Sequence, residues 1–151
     1  MKKIVATLVL LGIAGTSLAQ QTMKPEDMIK IRKAGYSFMA WNMGKIKANI
    51  DGSFNKEQVI AAANVVAATA NSGMGALFGP GSEKDVGDQK TRVKPEFFQQ
   101  QDKVKEVAMN YIKEANELAK VAATGDVAAI KAQFGKTGGA CKACHDEFRK
   151  D

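Results

Sequence analysis

The chain has 151 residues, the length of one ordinary domain. Its formal charge of +6 is a mild excess, and basic residues are interleaved with acids, as in Lys103-Val104-Lys105-Glu106 and Lys113-Glu114. That pattern lacks the clustered basic stripe of a nucleic-acid binder, so no nucleic-acid partner is expected. The charges read as solvated helix faces, with a lysine patch for an acidic redox protein as the lesser alternative.

The first residues form an export signal rather than part of a fold. Met1-Lys2-Lys3 is a charged start, Ile4 to Ile13 is apolar apart from Thr7 and Gly12, and Ser17-Leu18-Ala19 supplies small residues for cleavage. Residues 1–19 are therefore expected to be a secretory signal peptide, with residues 20–151 as the mature domain. Cleavage lowers the formal charge from +6 to +4, because Lys2 and Lys3 leave and no acid does. No later segment is apolar for the roughly 20 residues a membrane helix needs. A periplasmic protein with no membrane anchor after cleavage is the expectation.

The remaining pattern is helical. A first helix is expected from Pro25, with Glu26 and Asp27 beside its positive dipole end. Met28, Ile31, Gly35, Phe38, Met39, Ile46 and Ile50 follow three-and-four spacing until Asp51-Gly52. A second helix is expected from about Asn55 to Phe78, with Val59, Ala63, Val66, Ala70, Met74 and Leu77 on one side. Gly79-Pro80-Gly81 stops it, and residues 79–94 form the one long loop. A third helix begins near Pro95-Glu96 and carries Val104, Val107, Ala108, Tyr111, Ile112, Ala115, Leu118 and Ala119 inward, as far as Gly125. Asp126 is the N-cap of a fourth, whose inner stripe is Val127, Ile130, Phe134, Cys141, Cys144 and Phe148. Gly138-Gly139 marks a place where it could kink. Four amphipathic helices with two short connections and one long one imply an all-α fold, an antiparallel up-down-up-down four-helix bundle.

The chemistry lies in Cys141-Lys142-Ala143-Cys144-His145. Cys-x-x-Cys-His is the attachment signature of c-type haem. On a helix the two cysteines and the histidine lie at i, i+3 and i+4 and share a face. Both sulfurs can then add to the vinyl groups on one edge of the ring, with His145 beneath the iron as its axial ligand. The rival readings are weaker. A redox dithiol of the thioredoxin kind needs a βαβ context, a zinc site lacks a fourth ligand, and a disulfide across so short a loop constrains little. One covalently attached haem c is expected. His145 is the only histidine, so no second one can take the opposite axial position.

The place of this motif, close to Lys150-Asp151, resembles the class II c-type cytochromes, and most closely cytochrome c′. Lys24-Pro25-Glu26-Asp27, Arg32, Phe78-Gly79-Pro80-Gly81, Lys94-Pro95-Glu96 and the closing Cys141 to Lys150 carry the resemblance, which spans the mature chain. It implies a five-coordinate, high-spin iron covered on its distal side by a non-ligating side chain of the first helix, here Tyr36. It implies that Arg32 meets a haem propionate and that Lys33 is a neighbouring haem contact. Thr91 and Arg92 fall in the loop over the haem edge, and Arg149 in a gate on the proximal face. Read without the resemblance, Tyr36 is an amphipathic core residue with its hydroxyl at the surface, Arg32 a surface arginine, and Arg149 a cation at a helix end.

The same resemblance implies small gas ligands, NO and CO, together with a homodimer formed through the first two helices. It leaves electron carriage to an unidentified redox partner open. The alternative is a six-coordinate, low-spin electron-transfer cytochrome resembling c-556, with Met28, Met39 or Met43 on the iron. In those relatives, however, the ligand belongs about a turn before the distal cover, where this chain has Arg32. No acid–base pair or substrate cleft points to an enzyme.

Overall fold

A computed structural model describes residues 23–151; the signal peptide expected at residues 1–19 lies outside them. Helix α1 spans Pro25–Asp51, and Pro25 opens it where a missing N–H costs nothing. Helix α2 spans Lys56–Ala70, capped by Asn55, whose side chain accepts from the Gln58 N–H at 2.9 Å. After a 3-10 turn at Met74–Leu77 and a loop, short helix α3 (Glu96–Gln99) leads into α4 (Gln101–Thr124). Helix α5 spans Val127–Phe148. Asp126 caps α5 as expected, accepting from the Ala128 and Ala129 N–H groups at 2.9 and 3.1 Å. Gly125 supplies the left-handed residue, φ +78°, that ends α4. The long helices form an all-α four-helix bundle, and among the described residues there is no strand, only isolated bridges.

Two boundaries differ from the sequence expectation. The second helix ends at Ala70 rather than Phe78, because side chains there compete for its last carbonyls. Asn71 Nδ2 donates to the Ala67 carbonyl at 2.7 Å and Ser72 Oγ to that of Thr69 at 2.7 Å, and Gly73 then turns left-handed, φ +79°. The third helix is interrupted at Gln100, which leaves helical geometry with ψ 56°. Helix α5 runs unbroken through Gly138-Gly139.

The inner face of α1 is also different. Ile29, Arg32, Met39, Asn42, Ile46 and Asn49 are buried, whereas Ile31 and Phe38 are 46% and 51% exposed. Adjacent residues on a helix diverge by about 100°, so burying Met39 turns Phe38 outward. Ala108 and Val127, also expected inside, are exposed too. The polar members of the stripe have partners. Asn42 and Asn49 donate to the Phe38 and Lys45 carbonyls, and Asn49 also donates to Gln58 Oε1.

Ile46, Val59, Ala62, Ala63, Leu118, Ala122 and Ile130 form the main core, all of them fully buried. Met39, Val66 and Ala115 make a second, smaller cluster. The alanines of α2 let it lie close against its neighbours, and α1 packs broadly on α2, α2 on α4, and α4 on α5. Helices α1 and α5 meet only briefly, which leaves the bundle open along one side. Leu118→Ala is expected to lower stability by about 2–5 kcal/mol through lost burial and a residual cavity, measured by denaturant unfolding.

Candidate functional site

The opening between α1 and α5 is a cleft of about 310 Å³ lined by residues that include Arg32, Lys33, Tyr36, Thr91, Arg92, His145 and Arg149. Every non-cysteine site residue expected from the sequence is thus brought to one place. Cys141 and Cys144 are free, half-buried thiols on the same helix as His145. Burial pushes both thiols up from their ordinary value. His145 is pulled down, first by partial burial and then by the cations Arg149 and Arg92. Both effects favour neutral groups, and neutral imidazole is the form that binds a metal.

Arg32 organises one edge of the cleft. It is 3% exposed, and both of its terminal nitrogens are engaged twice. Nη1 donates to the Leu77 carbonyl at 3.1 Å and to Ser82 Oγ at 2.9 Å. Nη2 donates to the Ser82 carbonyl at 2.7 Å and to Thr91 Oγ1 at 2.6 Å. Its guanidinium also lies 4.7 Å from the centre of the Phe78 ring, a cation–π contact. Every one of these partners is neutral, and burial lowers the arginine's affinity for its proton. The propionate contact expected of Arg32 therefore cannot rest on idle terminal donors. What Arg32 offers an anion in the cleft is a buried, uncompensated charge.

Ser82 was not singled out from the sequence, yet it is fully buried and returns the favour by donating to the Gly79 carbonyl at 2.8 Å. A serine in a Gly/Pro-rich loop carries no signal of this kind. Thr91 accepts from Arg32, and its own N–H donates to Asp85 Oδ1 at 2.9 Å. The loop then clasps the end of α5. Lys94 N–H donates to the Phe148 carbonyl at 2.9 Å and Lys150 N–H to that of Arg92 at 2.7 Å, across a bridge between Val93 and Arg149. This clasp holds Arg92 and Arg149 beside His145.

Tyr36 remains 40% exposed and meets Phe78 edge-on, ring centres 6.4 Å apart. Its phenol is pushed up to about 12, first by burial and then by Cys144 and Cys141, against the opposing effect of Arg32. Thioether bonds would remove the cysteine charges and leave burial as the main cause. Lys33, Lys90, Arg92 and Arg149 join Arg32 in the lining, and no carboxylate side chain is among its described residues. Two half-buried thiols on the helix whose imidazole lines a cationic cleft fit a covalently held, dianionic porphyrin.

A helical bundle with this motif and this cleft defines a c-type haem protein. The family model described as cytochrome c′ matches residues 27–149. The chain is 57% identical to the cytochrome c′ of Allochromatium vinosum over 144 residues, 95% of this chain and 93% of that one. It is similar to a solved cytochrome c′ described as having an unusual ligand-controlled dimer dissociation: 59% identity, TM-score 0.85, covering 85% of this chain and 98% of that one. A more distant neighbour is the nitric oxide complex of a mutant cytochrome c prime from Alcaligenes xylosoxidans. It shows 28% identity and TM-score 0.75 over 87% of this chain and 100% of that one. The chain belongs to the cytochrome c′ family, whose cofactor is covalently attached haem c.

Two outcomes follow from the site's chemistry. Arg32→Ala is expected to cost about 2–4 kcal/mol, because it orphans buried acceptors and unfastens the loop, with Arg32→Lys intermediate in thermal unfolding. A tyrosine raised in the folded state favours folding below its unfolded value of 10.0 and loses that contribution as pH climbs towards 12. Tyr36→Phe should therefore flatten the alkaline fall in stability relative to wild type, measured by denaturant unfolding between pH 9 and 12.

Proposed function

We propose that this is a periplasmic cytochrome c′ with a five-coordinate, high-spin haem that binds small gases, NO and CO, carries electrons, or does both. Cys141 and Cys144 would hold the haem covalently, and His145 would ligate its iron. The observation that carries the reading is the identity of the α1 residues lining the cleft: Arg32, Lys33, Tyr36 and Ser37, with no methionine among them. A phenol that burial keeps protonated is a poor iron ligand and an effective steric cover. The nitric oxide complex of the Alcaligenes xylosoxidans neighbour supports gas binding as the family's use of such a site.

When bound, the haem supplies the iron that takes the gas and changes redox state. The chain's own residues set the access. Tyr36 covers the distal approach, with Phe78 limiting its swing. Arg92 and Arg149 flank His145 and screen the proximal approach. The cations of the lining favour the propionates, and Lys33 adds to them at the rim. Export through cleavage after Ala19 delivers the domain to the periplasm, and among the described residues no helix is long and apolar enough to cross a membrane.

The exposed face of α1 supports a homodimer. Ile31, Phe38 and Trp41 are 46%, 51% and 58% exposed, and Phe38 stacks on Trp41 at 5.7 Å. Such a group of large apolar side chains marks an interaction surface, and Ala61 and Ala68 of α2 are exposed as well. The ligand-controlled dimer dissociation described for the 59% identical neighbour fits an interface on the helix that also covers the iron.

The absorption spectrum of the haem-loaded protein tests the main reading. A broad, high-spin ferrous spectrum that changes with CO is expected; a sharp low-spin spectrum indifferent to CO would sink it. Tyr36→Ala should speed CO and NO entry by at least about tenfold, as expected for removal of a steric barrier of at least 1.4 kcal/mol, measured by stopped flow.

A further inference from the structure

Phe97 belongs to α3, the short helix (Glu96–Gln99) that the break at Gln100 separates from α4. Beyond the break, the Gln101 side chain reaches back and donates to the Phe97 carbonyl at 2.8 Å. The Phe97 ring stacks on Phe78, centres 4.3 Å apart and planes at 27°. It meets Phe148 edge-on, centres 5.6 Å apart and planes at 85°. Stacked and edge-to-face arrangements are the favoured geometries of aromatic pairs, so both contacts hold their rings in place.

These two partners reach the site by different elements. Phe78 lines the cleft, packs edge-on against Tyr36 and lies beneath the Arg32 guanidinium. It follows the 3-10 turn, outside any regular helix, so packing rather than a helical ladder fixes its ring. Phe148 is 3% exposed and closes α5 three residues after His145, within one helical turn. His145 lines the same cleft. The backbone repeats the link, because the Lys94 N–H donates to the Phe148 carbonyl at 2.9 Å and the Lys94 carbonyl accepts from the Phe97 N–H at 3.1 Å.

We propose that Phe97 is a positioning residue for both faces of the haem. Wedged between Phe78 and Phe148, its ring holds the wall beside Tyr36 at a fixed distance from the turn that carries His145. The proposal rests on the five-coordinate, gas-binding reading above. A close-packed interior transmits displacement from one side chain to the next. Without the Phe97 ring, Phe78 gains room and Tyr36 gains room beside it. The last turn of α5 also loses the neighbour against which Phe148 is packed.

The test compares haem-loaded wild type, Phe97→Leu, Phe97→Tyr and Phe98→Leu, with circular dichroism to confirm folding. CO entry by stopped flow reads the Tyr36 side. The iron–histidine stretching band in resonance Raman spectra of the ferrous protein reads the His145 side. Phe97→Leu should speed CO entry by about two- to tenfold, the rate factor that one aromatic contact spans, and should shift or broaden the iron–histidine band. Phe97→Tyr keeps the ring and should match wild type in both. Phe98 is a half-buried aromatic of the same short helix that faces an outer groove with Pro80 and Pro95, and Phe98→Leu should leave both readouts unmoved. A folded Phe97→Leu that changes neither readout, or only one, overturns the proposal and leaves the five-coordinate reading intact. Equal effects from Phe98→Leu overturn it as well, since they mark a general loosening of α3. A low-spin wild type indifferent to CO overturns both. Should Phe97→Leu fail to fold, Phe97→Met carries the same expectations.

Discussion

The guanidinium of Arg32, buried against neutral acceptors, is the contact on which the arrangement of the cleft depends. It reaches from α1 to the 3-10 turn through the Leu77 carbonyl, and to both ends of the long loop through Ser82 and Thr91. A cation taken out of water without an anion is costly, and hydrogen bonds to a charged donor offset part of that cost. The remainder is an electrostatic demand for negative charge inside the cleft. An anionic cofactor meets that demand, so the interaction that shapes the loop also biases what the loop encloses.

Much of this was legible in the sequence, for physical reasons that differ by element. Cys141, Cys144 and His145 were readable because their chemistry requires fixed spacing on one helix. Asp126 and Pro25 were readable because helix ends have local requirements. The inner stripe of α1 was harder, since half of its buried members are polar. Hydrophobic periodicity favours Ile31 and Phe38, whereas Arg32, Asn42 and Asn49 enter the interior by finding partners. The end of α2 was missed because Asn71 and Ser72 take its carbonyls with their side chains, a competition that apolar spacing does not register.

The long loop was legible in purpose and not in construction. Its length, in a compact bundle, marks it as functional, and the resemblance to the cytochrome c′ family drew Thr91 and Arg92 to the cofactor. Nothing local revealed that Ser82 is buried, or that residues 92–94 pair with residues 148–150. Those contacts join segments more than fifty residues apart, and two hydrogen bonds across one bridge leave no alternating pattern. Tyr36 illustrates the same division. Its position was inferred by resemblance, and its environment, with Phe78 on one side and His145 across the same cleft, exists only in the folded chain.

The clasp between the loop and the end of α5 also imposes an order in time. Residues 148–150 are made more than fifty residues after the Arg92–Lys94 segment that pairs with them. Until then the Arg92–Lys94 segment has no backbone partner, and the wall it forms stays unfastened. The last helix to arrive brings the attachment cysteines and the fastening together. The helix end that carries the attachment cysteines is thus also the one that fastens the wall of the cleft.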